Sequence, residues 1–593
     1  MSTAVNVSLK NLPIEDYVVN MAPRHVAEAR SLWARFQPRG TFDALVRYES
    51  AGGPGATTVD VEPTSVSLVA DSHRLSLNRR GGALTLSSGR IAFKDLSLDI
   101  SDEDRRPQGT ITLAGSATTP PGSEGIQLRG QWQQGRFESP LIAEILKSSG
   151  QDQTIDSWRR AQTSGAFDAE FTVSAPPEGQ PLSYDVGVRP RSIDFIWNNA
   201  NIFASIERGQ LEFKPGQVTV RDVRGQHAGG AFDVDGVVTT TGATEANLKI
   251  GYDGLVRSEQ CNAFLPKIAR QALDLLKFDD GNGTHGDLDL HLKRVETTEP
   301  EKPAWQTDVR GRLHTRGAAF EAGVRFGDVA GDFDLDVHYS PGGPPRFQMS
   351  VNAQHCVAVS QQLTNLEATV VLSDDGTSVE VPLLRANAAG GVVTAQASVG
   401  IGDKRQYQTA VDLVAVPLDG FFSTNGSASE APSAEPGRDK PQPRGELYAD
   451  ITVSGLRDDA PSRRGRAVFR VLHGKMANIP LALQVVQLVQ FTLPFSGSLD
   501  YADADAYIVG DRAYFERILL ESTSGKNAML QLFGEGDVDI NTLELNVRFR
   551  SRSGVAIIRD VVGGVTDRLY GIEVTGPLSD PKARVVPLPK PEK

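Results

Sequence analysis

The stretch from Gly534 to Arg550 reads GEGDVDINTLELNVRFR and decides the fold class. In its second half, Leu543, Leu545, Val547 and Phe549 alternate with charged or amide residues. Successive side chains of a β-strand face opposite sides of the sheet, so a period of two predicts a strand with one apolar and one polar face.

The same alternation occurs far upstream, where Leu288, Leu290 and Leu292 are separated by polar residues such as Asp287 and Asp289. Similar segments recur along most of the chain, which is also rich in glycine, with 58 residues. The sequence therefore predicts a mainly β protein built of antiparallel strands, with a few short helices.

A short motif, glycine-x-apolar-aspartate, follows a helical segment three times. It reads Gly40-Thr41-Phe42-Asp43, then Gly165-Ala166-Phe167-Asp168, then Gly286-Asp287-Leu288-Asp289, and a looser fourth start lies at Gly445. Recurrence at a near-constant period predicts a repeat architecture. The predicted domains are β modules at 1–139 (with an N-terminal helix), 140–258 and 259–422, a disordered linker at 423–444, and a C-terminal module at 445–593.

Net charge and the absence of catalytic motifs exclude several classes of function. The formal net charge of −13 argues against nucleic acid as the main partner, because phosphate binding needs a basic surface. The nine histidines are scattered, and no Gly-x-Ser-x-Gly, Walker or His-Glu-x-x-His motif appears. We therefore expect no enzyme activity, no cofactor and no metal. The loop from Asp279 to Asp287 resembles a calcium loop superficially, but a polar turn explains it better.

The two cysteines, Cys261 and Cys356, lie in no Cys/His cluster. Two idle thiols are the simpler interpretation, and a single disulfide stays open. The chain has no run of 18 apolar residues and no signal peptide at its start. The alternating segment Val5-Asn6-Val7-Ser8-Leu9 has no strand before it, which predicts a longer polypeptide with its anchor upstream.

An apolar helix is predicted from Leu481 to Phe491, between Pro480 and Pro494. Its apolar positions are Leu481, Leu483, Val485, Val486, Leu488, Val489 and Phe491. The helix is too short to span a bilayer and has no basic face. It either caps the end of the sheet or contacts a membrane surface or a partner.

The C-terminal end resembles the AsmA-like family of repeating β-groove proteins. The resemblance rests on Gly534-x-Gly536-x-Val538-Asp539, on the strand that follows, on Val561 to Val565, and on the closing Val574-Thr575-Gly576-Pro577-Leu578-Ser579-Asp580-Pro581-Lys582. It covers roughly the last 60 residues by motif, and the upstream modules by pattern only. It implies an elongated, twisted, U-shaped antiparallel sheet with an apolar inner surface.

The resemblance also implies a location in the bacterial envelope, in the periplasm, with an inner-membrane anchor that this chain lacks. The implied function is to shield and conduct phospholipid or other acyl chains between the inner and outer membranes. The candidate groove residues are Leu543, Leu545, Val547, Phe549, Leu288, Leu290 and Leu292. The alternative is a scaffold or assembly factor whose sheet edge or C-terminal end docks an outer-membrane partner, and a closed β-sandwich array for adhesion is a third option. The partners expected besides lipid are inner- or outer-membrane proteins.

Two questions stay open at the level of sequence. An apolar sheet face can line an open groove or pack against itself as a closed core, which is the commoner outcome in all-β proteins. A conduit also needs an unbroken apolar inner face across all modules, so polar or small residues that point inward between Leu313 and Gly323 (LHTRGAAFEAG) would favour a scaffold.

Overall fold

A computed structural model describes most of the 593 residues. The described residues are 3–15, 33–50, 55–87, 90–118, 125–148, 152–175, 183–197, 200–227, 230–255, 284–295, 304–322, 324–358, 361–403, 405–417, 445–472, 500–522, 531–551, 570–577 and 581–587, with single residues at 270, 274, 277 and 279. The predicted linker at 423–444, the predicted helix from Leu481 to Phe491, the segment from Val561 to Val565 and Cys261 lie outside them.

The chain divides into two compact units. Unit 1 comprises Met1–Pro266 and His285–Thr307, and unit 2 comprises Lys267–Thr284 and Asp308–Lys593. In both units nearly all described residues lie in strands, and every pairing between consecutive named strands is antiparallel. The prediction of a mainly β, antiparallel protein with few short helices is confirmed.

Unit 1 is an antiparallel meander in which each strand from β1 to β13 pairs with the next one along the chain. The strands are β1 (Thr3–Ile14), β2 (Arg39–Ser50), β3 (Ala56–Ala70), β4 (His73–Ser87), β5 (Arg90–Ser101), β6 (Pro107–Thr118), β7 (Ile126–Arg136), β8 (Ser164–Ala175), β9 (Ser183–Trp197), β10 (Ala200–Lys214), β11 (Gln217–His227), β12 (Gly230–Thr239), β13 (Glu245–Leu255) and β14 (Thr284–Val295).

Unit 2 continues the same plan with β15 (Ala304–Ala322), most of which belongs to it. The further strands are β16 (Val324–Tyr339), β17 (Arg346–Ala358), β18 (Gln361–Leu372), β19 (Ser378–Ala388), β20 (Gly391–Gly400), β21 (Gln406–Pro417), β22 (Glu446–Leu456), β23 (Asp459–Leu472), β24 (Tyr501–Val509), β25 (Arg512–Glu521), β26 (Gln531–Asp539), β27 (Glu544–Ser551), β28 (Tyr570–Pro577) and β29 (Lys582–Pro587). The residues that carry the AsmA-like resemblance form much of β26 to β29.

Two described helices connect β7 to β8 in unit 1, ahead of the second glycine-x-apolar-aspartate motif, where the sequence predicts a helical segment. They are α1 (Pro140–Ser148) and α2 (Asp152–Ala161). Ser139 precedes α1 and Pro140 opens it, which is a favourable start because a first-turn proline loses no helical hydrogen bond. Leu141 and Ile142 pack on the buried cluster around Trp132, so the helices cover one end of the sheet.

The second glycine-x-apolar-aspartate motif forms a β-bulge. The register between β7 and β8 shifts between Trp132 and Gly135, and Gln134 there has a φ of 54°. Its backbone N–H donates to Asp168 Oδ1 at 2.8 Å, so the motif aspartate satisfies a group that the bulge leaves unpaired. Phe167 points to the opposite face and stacks edge-on against Trp132, with ring centroids 5.1 Å apart.

The first motif repeats this arrangement between β1 and β2. Asn11 has a φ of 52° beside a register shift, and its N–H donates to Asp43 Oδ1 at 2.8 Å. The motif glycine Gly40 has a φ of 140°, in the region that favours glycine. In the first and second motifs, the aspartate therefore accepts the N–H of a bulge residue on the preceding strand, and such a bulge bends the paired strands.

Candidate functional site

One face of unit 1 carries a row of apolar residues that crosses eight consecutive strands. Because directly paired residues of an antiparallel sheet lie on the same face, the register defines the row without ambiguity. We call it the apolar strip; it consists of Leu9, Ala44, Val61, Leu84, Phe93, Gly115, Leu128 and Val173. At ~4.8 Å between strands, the strip is about 34 Å long.

Most residues of the strip are partly exposed. Ala44 is buried, whereas Val61, Leu84, Phe93, Leu128 and Val173 are half-buried. At the β1 end, Leu9 is 39% exposed, and its neighbour on the same face, Val7, is 44% exposed. An apolar surface that the chain does not bury itself remains available to an apolar ligand.

The apolar face of unit 2 is more deeply buried. A single buried cluster contains apolar residues from β15 to β28, among them Phe333, Leu366, Leu384, Leu532 and Phe549. Leu532, Val547, Phe549 and Val574 have no exposed surface. The described part of unit 2 therefore uses its apolar face as a core, as most all-β proteins do.

The structure separates the groove residues predicted near the C-terminus. Leu545, Val547 and Phe549 lie on β27 in the buried cluster of unit 2. Leu543 lies before β27, in the turn, with a φ of 57° and 50% of its surface exposed, so it does not share that face. The expectation that all four residues form one strand face is corrected at Leu543, because Glu544 is the first residue of the strand.

The three predicted groove residues in unit 1 keep their alternation. Leu288, Leu290 and Leu292 lie on β14 and are half-buried, whereas Asp287 and Asp289 are exposed. Sequence reasoning did not assign the apolar strip at β1, although Val5-Asn6-Val7-Ser8-Leu9 carried its alternating signal. The missing information was the register, which only pairing with β2 supplies.

Between Leu313 and Gly323, one polar side chain, Thr315, is buried together with the small residues Ala318 and Ala319, whereas Arg316 is exposed. Arg312 and His314 point to the other face, where they pair with Asp334 at 2.6 Å and Asp332 at 2.8 Å. Thr315 is buried, and its hydroxyl donates to the carbonyl of Val329 at 3.0 Å. Among the described residues of this stretch, the inward side chains are therefore apolar or satisfied.

Ion pairs cover the outer face of the last strands in unit 2. Asp505 is bound by Arg466, whose hydrogen bond lowers the pKa of Asp505. Asp503 lies between Arg470 and Arg517. These two aspartates therefore stabilise the sheet through ion pairs with arginines of the neighbouring strands.

Glu573 on β28 is held by two arginines. Arg584 Nε donates to Glu573 Oε2 at 2.6 Å, and Arg548 Nη2 donates to Oε1 at 3.0 Å. These hydrogen bonds, from Arg584 first and Arg548 second, hold the pKa of Glu573 below its ordinary value of 4.5. The charged carboxylate is therefore favoured in the folded state more than in the unfolded chain.

We expect Glu573 to make unit 2 less stable in acid. A carboxylate with a lowered pKa contributes stability that is complete above pH 4.5 and is lost as the pH falls through its folded pKa. Glu573→Gln should therefore lower the free energy of unfolding at pH 7, and the gap to the parent should close towards pH 2. Denaturant titrations at several pH values measure this gap; a gap independent of pH would contradict it, and exposed Glu535→Gln serves as the control.

The remaining candidate groups have structural roles. Cys356 is a free, fully buried thiol, and burial raises its pKa to about 11, which makes it unreactive at neutral pH. Asp279 pairs through its backbone with Ala319. In the described ranges, no group of three or more His, Cys, Asp or Glu side chains could hold a metal ion. Nor does any described helix have the length and apolar character needed to cross a bilayer.

Comparison with known proteins adds no identification: no protein-family model, curated protein or solved structure matches the chain. The fold and the register of the described strands are therefore the basis for a functional interpretation.

Proposed function

We propose that the chain is a non-enzymatic lipid-binding protein of the bacterial envelope that shields acyl chains along the apolar strip of unit 1. The observation that supports this proposal is the strip itself, an apolar row that crosses eight strands and stays partly exposed. Each methylene group moved from water to such a surface gains about 0.8 kcal/mol. A uniform row without polar side chains gives a chain no single deep site, so it can slide.

The AsmA-like resemblance of the C-terminal strands supports the same function and supplies the expected ligand, a phospholipid. It also supplies the proposed location, the periplasm between the two membranes. The alternative, a scaffold for membrane proteins, would tolerate polar breaks in the apolar face.

Lipid bound to the purified chain tests this proposal. We expect phospholipid to co-purify from a bacterial host without detergent, as detected by native mass spectrometry and lipid extraction. Val7→Asp should reduce the bound lipid at least about threefold, because it places a charge beside Leu9 on the apolar face of β1, where it repels an acyl chain. Asn6→Asp adds the same charge to the opposite face of β1 and should leave the lipid unchanged.

A chain that is folded and free of lipid, or equal loss in both variants, would contradict the proposal. The scaffold alternative would then be tested through protein partners. Because both positions are exposed on β1, neither substitution removes buried packing, and circular dichroism verifies that both variants fold.

A further inference from the structure

A polar cavity lies at the end of unit 1 that the two helices cover. Its volume is ≈ 530 Å³, which is within the range of sites for small organic molecules. The β3–β4 turn, the β5–β6 turn, the end of β7 and both helices form its walls. The cavity is distinct from the apolar strip, whose residues do not line it.

Two buried side-chain oxygens at this cavity have no hydrogen-bond partner. Gln108 is 6% exposed and Ser139 is 2% exposed; Gln108 Oε1 and Ser139 Oγ both lack a partner among the described residues. The orientation of the Gln108 amide is fixed, since its Nε2 donates to Asp102 Oδ2 at 3.2 Å. The carbonyl oxygen is therefore an acceptor that lacks a donor, and such groups are costly unless a ligand or water satisfies them.

The cavity also carries an excess of negative charge. Asp102, Glu103 and Glu138 each accept a backbone N–H, from Arg106 at 2.8 Å, Arg74 at 2.8 Å and Gly165 at 3.1 Å. In the part of the chain that the structure describes, no lysine or arginine forms an ion pair with these three carboxylates. The two arginines that line the cavity, Arg106 and Arg159, pair instead with Asp104 and Asp71. The cavity therefore keeps a net negative charge, and its three unpaired carboxylates are fixed in place by the backbone.

Another wall of the cavity is aromatic and apolar. Half-buried Trp158 of α2 lines the cavity, beside Pro140 and Ala143 of α1. An indole face attracts organic cations, and it does so more strongly when water is partly excluded. Carboxylates, an unpaired carbonyl acceptor and an indole together match a positive group that also donates hydrogen bonds.

We propose that this cavity binds a primary alkylammonium group. The ammonium donates to Gln108 Oε1, the carboxylates of Asp102, Glu103 and Glu138 balance its charge, and Trp158 contacts the alkyl part. Two sources present this chemistry, a free polyamine and the ethanolamine headgroup of a lipid. The site does not depend on the lipid function of the apolar strip.

Titration calorimetry on the full chain tests the site with four probes: spermidine, choline, lysophosphatidylethanolamine and lysophosphatidylcholine, the lipids below their micelle concentrations. We expect saturable binding of at least one primary amine, and binding at least about fivefold weaker for the quaternary partner, which has no N–H to donate to Gln108. Spermidine binding indicates a free amine as the source, whereas binding of the ethanolamine lipid alone indicates a headgroup.

Substitutions in the cavity, compared with one outside it, distinguish binding at this site from a general effect of protein charge. Glu103→Gln and Glu138→Gln should each weaken binding about fivefold, whereas Glu49→Gln, an exposed change of equal charge on β2, should not. Gln108→Met removes the unpaired acceptor and should abolish the preference for primary over quaternary amines, without lowering the melting temperature. No binding of either primary amine, or equal affinity in Glu49→Gln and both site variants, would overturn the proposal.

Discussion

Replacing Phe549 by alanine should lower the free energy of unfolding of unit 2 by about 3–5 kcal/mol. Phe549 is fully buried at the centre of the cluster that joins β15 to β28, and it pairs directly with Ile572 on the next strand. Truncation removes the transfer free energy of the ring and leaves a cavity that a multi-strand core cannot refill without moving several strands.

The measurement is hydrogen exchange resolved by peptide, with a denaturant series. Protection of the backbone amides from hydrogen exchange should fall across β24 to β28. The denaturant midpoint followed by tryptophan fluorescence should stay that of the parent, since all five tryptophans lie in unit 1. Leu543→Ala is the matched control, because Leu543 lies exposed in the turn two residues before buried Leu545. A loss below about 1 kcal/mol in Phe549→Ala would mean that this face is not a packed core.

Gly165→Ala should destabilise unit 1 by at least about 2 kcal/mol. Gly165 has a φ of 124°, and a Cβ there would lie 2.3 Å from the backbone carbonyl oxygen of Ser192. A backbone atom cannot move aside as a flexible side chain can, so β8 and β9 would have to separate at the bulge. The substitution thus tests whether the repeated motif is a bend in the sheet.

Tryptophan fluorescence follows this variant directly, because Trp132 contacts Phe167 two residues beyond the substitution. Gly81→Ala is the control: no atom lies within 4 Å of the Cβ that it would add, and its φ is outside the glycine-favouring region. Equal stability of Gly165→Ala and Gly81→Ala would show that the motif glycine has no steric role.

The sequence was sufficient to predict the strands but not how they combine. Alternation in Leu288 to Leu292 and in Leu545 to Phe549 identifies strand faces correctly, because the period of two is a local property. The role of Asp168 was not predictable, since its partner Gln134 lies 34 residues earlier. The motif could be recognised as a repeat, but the hydrogen bond that its aspartate accepts comes from a different strand.

The sequence alone also could not predict how deeply each apolar face is buried. Leu9 and Phe549 have the same alternating context, but one lies on an accessible strip and the other in a sealed core. Burial depends on how far the sheet curves, which follows from the bulges and the register along many strands. The clearest alternating pattern lies near the C-terminus, in unit 2, whereas the apolar strip lies in unit 1.

The most direct test of the claim that the apolar strip shields lipid is to measure acyl-chain contact at Leu9 and at Ser8, its neighbour on the opposite face. The experiment attaches a small fluorophore to Leu9→Cys or Ser8→Cys, in a chain that carries Cys261→Ser and Cys356→Ala, and adds phospholipid spin-labelled in its acyl chain. Adjacent residues on β1 face opposite sides, so the account predicts strong quenching at position 9 and little at position 8. Equal quenching at both positions, or none at position 9, would contradict the claim that the apolar strip shields lipid.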